Sequence, residues 1–246
     1  MPHVVGSAGR RPLSRGEVHI WLVAPPRESD ADVAQWSTLL SDEERLHVAR
    51  HRFERHRREA AVSRALVRAT LAEYIERDPS TFCYRVGAFG RPSLEPQEAV
   101  HFNATNHPEL VACAVSLDPQ IGVDLEPLAR GGEILEVAET VFSSPERAAL
   151  AALPPEQRAE RAVALWTCKE AYIKAVGTGF SASLLDIVVE FPEAAPPTLR
   201  FLAGIDDPAA WRLATRDVDG FRVAVAVRTA VSDIEVVVRR DWLAGG

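Results

Sequence analysis

Cysteine is scarce in this chain: three residues among 246, Cys83, Cys113 and Cys168. They stand far apart in apolar contexts, match no metal-ligand spacing and do not make an even set for disulfides. A disulfide-stapled secreted fold and a cysteine-ligated metal centre are therefore excluded, and a reducing compartment, the cytoplasm, is expected. Positive charge is also short, with 28 Lys and Arg against 35 Asp and Glu and a formal net charge of −7. A global basic field for nucleic acid is missing, so any anion site must be local. No stretch approaches the roughly 20 apolar residues of a membrane helix. The first residues also lack the continuous apolar run of a signal peptide. Neither nucleic acid nor a membrane is expected as a partner.

What is present is ordinary for a globular enzyme-sized chain: 47% hydrophobic and 26% charged residues, enough for one large domain or two small ones. Residues 1–16 carry Gly, Ser, Pro and Arg without periodicity and read as a flexible leader. Glu17 to Ala24 reads as a strand closed by Pro25-Pro26, with Asp30 as the cap of a short helix reaching about Leu40. Ser41-Asp42-Glu43-Glu44 is a capping-box signature. The helix it opens is expected to run on through the 60s and 70s and to end before Pro79.

That helix is basic: Arg45, Arg50, Arg52, Arg55, Arg57, Arg58, Arg64 and Arg68 lie in it, with His47, His51 and His56. It reads either as a solvated face with acidic partners or as an electropositive patch for phosphates. Beyond it, Phe82 to Val86 and two runs at 100–105 and 110–116 read as strands. The second pair is joined by Asn106-His107-Pro108-Glu109. Thr105, Asn106 and His107 there suit an anion, or simply turn chemistry.

Two stretches carry the strongest signal. In Gln120 to Pro127, QIGVDLEP, Val123 and Leu125 point to one face of a strand and Asp124 and Glu126 to the other. Their α-carbons are about 6.6 Å apart, at about 3.3 Å per residue. Two carboxylates on one face repel unless solvent or a cation intervenes, and a hard divalent cation with oxygen ligands is the natural partner. The second stretch is 166–180, WTCKEAYIKAVGTGF. Trp166, Glu170 and Lys174 recur every four residues along a helix that Gly177 and Gly179 stop. The Glu170–Lys174 pair reads as a surface ion pair or as part of a site. Helices are expected over 133–142, from Ser144 to the Pro154-Pro155 break, and over 156–176. Short strands are expected at 186–191, 200–203, 211–217, 221–228 and 234–238.

The chain also echoes itself. A strand ending in proline, a helix start (Ser41 or Ser144), a long helix and further strands recur at an offset near 103, as from Ile20 to Val123. The expectation is an α+β fold of two similar α/β subdomains, 17–117 and 118–246, related by pseudo-two-fold symmetry with a cleft between them. An internal pseudo-dimer of this kind is expected to work as a monomer.

GVDLE at 122–126, WTCKEAYIK at 166–174, GRP at 90–92 and FNATN at 102–106 occur in an order and spacing that resemble the 4′-phosphopantetheinyl transferases of the double-length, Sfp type. The resemblance implies transfer of the phosphopantetheine arm of coenzyme A to a serine of an apo carrier protein, whether acyl, peptidyl or polyketide, leaving adenosine 3′,5′-bisphosphate. It implies that Asp124, Glu126 and Glu170 ligate magnesium, or manganese in its place, on the coenzyme A pyrophosphate. Glu170, directly or through water, is the base for the carrier serine, with Asp124 and Lys174 beside it in the catalytic group. Lys174 contacts a phosphate, and Arg91, Thr105 and Asn106 lie around the adenosine-phosphate end. The family pattern has His where this chain has Asn106. The charge that imidazole would bring falls to His107, or to one of Arg52, Arg57 and Arg64. The other readings open to such a chain are a carrier-binding protein without catalysis and a different magnesium-dependent phosphoester enzyme.

Overall fold

The computed structural model describes residues 11–177, 183–202 and 204–240. Strand β1 (Glu17–Val23) leads to helix α1 (Asp30–Trp36), α2 (Asp42–Ala49) and α3 (Glu54–Ala72). A ribbon of β2 (Cys83–Val86) and β3 (Pro92–Glu95) follows, then the hairpin β4 (His101–His107) and β5 (Leu110–Ser116). The second half opens with β6 (Gln120–Pro127), α4 (Gly131–Glu136), α5 (Ala138–Val141), α6 (Ser144–Ala152) and the long α7 (Pro155–Val176). It closes with β7 (Ile187–Glu190), β8 (Thr198–Phe201), β9 (Trp211–Val218), β10 (Phe221–Arg228) and β11 (Glu235–Arg239).

The strands form a four-stranded sheet, β11-β1-β5-β4, a three-stranded sheet, β6-β10-β9, and two small ribbons. The period-2 pattern of the central strands fixes the layers. Val18, Ile20 and Leu22 of β1 and Leu110, Ala112 and Ala114 of β5 pack on Val123, Leu125, Val223 and Val225, so the two sheets lie back to back. The alternate residues face outward to a helix each. Trp21, Val23, Val111 and Cys113 join Val62, Leu66 and Ala69 of α3. Ala224 and Ala226 join Val163, Ala171 and Ala175 of α7. The result is an α+β sandwich in which helix, sheet, sheet and helix follow one another, the first half supplying α3 with β1, β4 and β5, and the second supplying α7, the other sheet and the edge strand β11.

Several expectations from sequence change here. The basic helix is two helices, because the chain turns between Ala49 and Glu54 and the Arg57 guanidinium takes the freed carbonyls of His51 (2.8 Å) and Arg52 (3.1 Å). Ser29, not Asp30, caps α1, through a reciprocal box with Asp32. The segment expected to be helical over 133–142 divides into α4 and α5 around Val137. Asn106 and His107 belong to strand β4, and only Pro108 and Glu109 make the turn. Residues 11–16 are tied down: Arg11 pairs with Glu73 (2.8 Å), and the Gly16 amide bonds to Asp118 (3.3 Å). The last strand, β11, pairs in parallel with β1, so residues 235–239 complete the sheet of the first half. Gly179, Phe180 and the chain end at 244–246 lie outside the described residues.

Each half carries a similar latch. Ser41 caps α2 in a reciprocal box with Glu44, and Glu44 also takes Nε of the buried Arg68 on α3 at 2.6 Å. Ser143 caps α6 in the same way with Glu146, and Glu146 pairs with Lys169 on α7 at 2.5 Å. Lys169 and Glu146 expose 0% and 1% of their side chains. The Lys169 ammonium also donates to the Val141 (2.9 Å) and Leu184 (2.8 Å) carbonyls. Lys169, which has no role legible in sequence, therefore fixes the rotation of α7 about its axis.

Candidate active site

The site begins with a glycine. On β6, Gly122, Asp124 and Glu126 face α7 while Val123 and Leu125 face the other sheet. A Cβ at Gly122 would stand 2.0 Å from the Ala171 carbonyl oxygen and 2.4 Å from the Ala175 nitrogen. Only glycine lets the helix backbone lie directly on the strand. That approach sets Asp124 against the helical turn that carries Glu170 and Lys174. Further along, α7 ends at Gly177, whose φ of +73° allows its amide to close on Ile173.

Lys174 Nζ donates to Asp124 Oδ1 at 2.6 Å and to Thr105 Oγ1 at 2.8 Å. The Thr105 hydroxyl donates to the same carboxylate at 3.3 Å. Thr105 lies on β4 of the first half, so this cluster forms at the seam between the halves. Asn103 of β4 stitches that seam by accepting the Val123 amide at 2.9 Å. Two carboxylate oxygens there, Asp124 Oδ2 and Glu170 Oε1, are buried with no hydrogen-bond partner. Burial pushes the Asp124 carboxyl up to about 6 against the pull of Lys174, and pushes Glu170 up to about 7 with the help of the Asp124 charge.

Glu126 is held apart from that pair. Its Oε1 accepts the Trp166 indole N–H at 2.9 Å, and its Oε2 accepts Arg130 Nη1 at 2.6 Å. Among the described residues, no three His, Cys, Asp or Glu side chains stand together as a metal cluster. The donor chemistry nevertheless fits a hard cation: the ligand atoms are carboxylate oxygens, and the two orphaned ones lack any other partner.

The remaining candidates are spread around this centre. The Arg91 guanidinium is turned onto backbone, donating to the Ala175 carbonyl and to Pro119 (3.3 Å) and Ile121 (3.2 Å). It lies on the wall of a groove of about 470 Å³ that also meets Leu94, His101, Val176 and Gly177. A larger hollow of about 830 Å³ follows the outer edge of β9 and touches none of the site carboxylates. Asn106 donates to Glu59 of α3 at 2.9 Å. His107 meets Phe221 edge to face with ring centres 5.0 Å apart, and its Nδ1 accepts the Glu109 amide. Arg52 covers the Phe53 ring, Arg57 pairs with Glu54, and half-buried Arg64 bonds the Ala60 carbonyl. Among the described residues none of these three arginines bonds to Thr105, Asp124, Glu170 or Lys174.

Sequence reasoning missed the two residues that hold Glu126. Trp166 shares the stripe of Glu170 and Lys174 with no polar role legible from the sequence, yet its N–H reaches across to the strand. Arg130 gave no signal, because a strand followed by a turn has no i,i+4 periodicity to read.

A family model described as the 4′-phosphopantetheinyl transferase superfamily matches residues 120–226. The chain is 32% identical over 191 residues to the 4′-phosphopantetheinyl transferase HetI of Nostoc sp., covering 76% of this chain and 80% of that one. It is 28% identical over 161 residues to the 4′-phosphopantetheinyl transferase Sfp of Bacillus subtilis, covering 63% and 68%. Among solved structures, a holo-(acyl-carrier-protein) synthase from Bacillus anthracis in complex with coenzyme A (3′,5′-ADP) is 29% identical. It covers 46% of this chain and 96% of its own, with a TM-score of 0.40.

Proposed function

The chain belongs to the 4′-phosphopantetheinyl transferase family, and on that premise we propose how its residues carry the reaction. The enzyme transfers the phosphopantetheine arm of coenzyme A to a serine of an apo carrier protein. The serine oxygen bonds to the β-phosphorus, and the bond from that phosphorus to the bridging oxygen breaks. Adenosine 3′,5′-bisphosphate leaves with the bridging oxygen.

Asp124, Glu126 and Glu170 would hold magnesium, with manganese able to replace it. The observation that carries this reading is the pair of buried, unpartnered oxygens on Asp124 and Glu170, beside the Lys174 ammonium that bonds the other oxygen of Asp124. The ion, when bound, neutralises charge on the pyrophosphate oxygens. Lys174 has donors to spare beyond Asp124 and Thr105, and it turns one to a phosphate oxygen. Glu170 accepts the serine proton, directly or through water. Its Oε1, buried and without a hydrogen-bond partner, is free to take part in that transfer.

Thr105 holds Lys174 and Asp124 in register. The groove beside Arg91 takes the adenosine end of the substrate, where Arg91 shapes the wall by securing the end of α7. Asn106 offers a neutral amide at the same end, with Glu59 as its present partner. Because each sheet packs on the other within one chain, the working unit is a monomer. Three free cysteines suit a cytoplasmic setting. No helix among the described residues is long and apolar enough to cross a membrane.

The test is direct. Purified protein, coenzyme A, magnesium and an apo acyl, peptidyl or polyketide carrier give a carrier heavier by one phosphopantetheine arm in intact-mass spectrometry. No mass shift across a panel of such carriers refutes the activity.

A further inference from the structure

The Arg130 guanidinium bridges two carboxylates that differ sharply in setting. Its Nη1 meets Glu126 Oε2 at 2.6 Å, and its Nε meets Glu133 Oε2 at 3.1 Å. The Glu126 side chain is only 13% exposed, Glu133 is 70% exposed, and Arg130 between them is 42% exposed. One end of the guanidinium is thus in the site and the other is at the surface. Glu126 has no spare oxygen, because Trp166 occupies the second one. Asp124 and Glu170, by contrast, each keep an oxygen without a partner.

We propose that Arg130 is a stand-in cation: it neutralises Glu126 in the ion-free protein and yields that carboxylate to a divalent cation, keeping Glu133 as its partner. The inference rests on the reading of Asp124, Glu126 and Glu170 as the metal site. The physical reason for the exchange is repulsion. A guanidinium and a dication on one carboxylate would stand a few ångströms apart in a half-buried setting, where like charges are poorly screened. Glu133 lowers the barrier to release, since the arginine keeps a hydrogen-bonded carboxylate throughout. Arg130 acts through Glu126 and is a positioning residue. By competing for the ligand it weakens metal binding and sets the ion concentration at which the triad assembles.

The readout is metal binding by the full chain without coenzyme A, with free Mn²⁺ followed by electron paramagnetic resonance. Arg130→Gln is expected to bind Mn²⁺ about three- to tenfold more tightly than the unaltered protein, the range set by a partly exposed ion pair and the removed repulsion. Glu133→Gln, which leaves Arg130 committed to Glu126, is expected to shift affinity the opposite way. In a Glu126→Gln background, Arg130→Gln is expected to change nothing. Equal or weaker binding by Arg130→Gln, with Glu126→Gln clearly impaired, overturns the role of Arg130 alone. Binding that is indifferent to Glu126→Gln, or absent throughout, overturns the metal-site reading and this inference with it. Circular dichroism establishes that each variant is folded, and Arg130→Lys, which keeps the charge, serves as the second variant and should stay near the unaltered affinity.

Discussion

Gly122→Ala is the substitution that tests the geometry most severely. The added methyl would meet the Ala171 carbonyl oxygen at 2.0 Å, the Ala175 nitrogen at 2.4 Å and the Ala175 α-carbon at 3.0 Å. All three are backbone atoms in the last two turns of α7, so no side chain can swing away. Restoring ordinary contact requires β6 and α7 to part by about 1 Å or more. Overpacking of this kind costs about 1–3 kcal/mol. The chemistry suffers beyond that, because Asp124 rides on the strand and Glu170 and Lys174 on the helix. A displacement of about 1 Å is worth about a hundredfold in rate. The 2.6 Å contact between Lys174 and Asp124 would open by a similar amount. The assay pairs urea unfolding with carrier loading followed by intact mass, at a temperature where the variant stays folded. A lowered midpoint with turnover down about a hundredfold is the expected result. A variant with unaltered stability and near-normal turnover would refute the claim that this crossing is what assembles the site.

Three further perturbations separate chemistry from stability. Glu170→Gln should lower turnover at least about a hundredfold without loss of stability. Its unfolded carboxyl ionises above 4.5 and its folded one only above about 7, so this group makes folding less favourable as pH rises across that window. At pH 8 the glutamine variant should therefore unfold at an equal or higher urea concentration, and near-normal turnover would remove Glu170 from the mechanism. Lys169→Met leaves Glu146 buried without its cation, at a cost of about 3–5 kcal/mol; a shift below about 1 kcal/mol in urea unfolding would contradict the latch. His19 answers to acid. The Tyr74 hydroxyl accepts the Trp21 indole N–H at 3.0 Å and shares a 2.6 Å hydrogen bond with His19 Nδ1. Burial and Arg239, with Arg11 adding to them against Glu17, hold the imidazole below its usual 6.5. As pH falls below 6.5 the unfolded chain takes up a proton the folded one refuses, so stability drops. His19→Gln should flatten that share of the decline between pH 7.5 and 5.5, and an unchanged slope would refute it.

Much of this was legible in the chain because the signals were local. The alternation in QIGVDLEP set Asp124 and Glu126 on one face, and the four-residue spacing set Glu170 and Lys174 on one stripe. Ser41-Asp42-Glu43-Glu44 predicted its helix start and its cap. The illegible parts are long-range. Nothing in the spacing of Glu44 and Arg68, or of Glu146 and Lys169, shows that they meet, since their contact depends on how a short helix folds back on a long one. Arg91 reads as a phosphate ligand in GRP, but whether a guanidinium turns outward or onto three carbonyls is decided by where α7 ends. The basic run misled for a different reason. Its periodicity is continuous, and the break before Glu54 exists because an arginine side chain satisfies carbonyls that a helix would otherwise have used.

The duplicated plan also explains why one chain would build one site and not two. Both halves keep the frame: a short helix capped by a serine and a glutamate, and a buried cation on the long helix that pairs with that glutamate. They differ in what the strand presents to that helix. On β6 the helix-facing positions are Gly122, Asp124 and Glu126. On β1 they include Trp21 and Val23, which are buried in the core beneath α3. A tryptophan there fills space that a glycine leaves for backbone contact, so α3 stands on side chains where α7 stands on the strand itself. The first half thus lacks both the close crossing and the carboxylates, and gives its polar edge, Thr105 on β4, to the site of the second half. On this reasoning Mn²⁺ should titrate at one equivalent per chain, and two equivalents of similar affinity would show that the frame, and not the strand's own residues, makes the site.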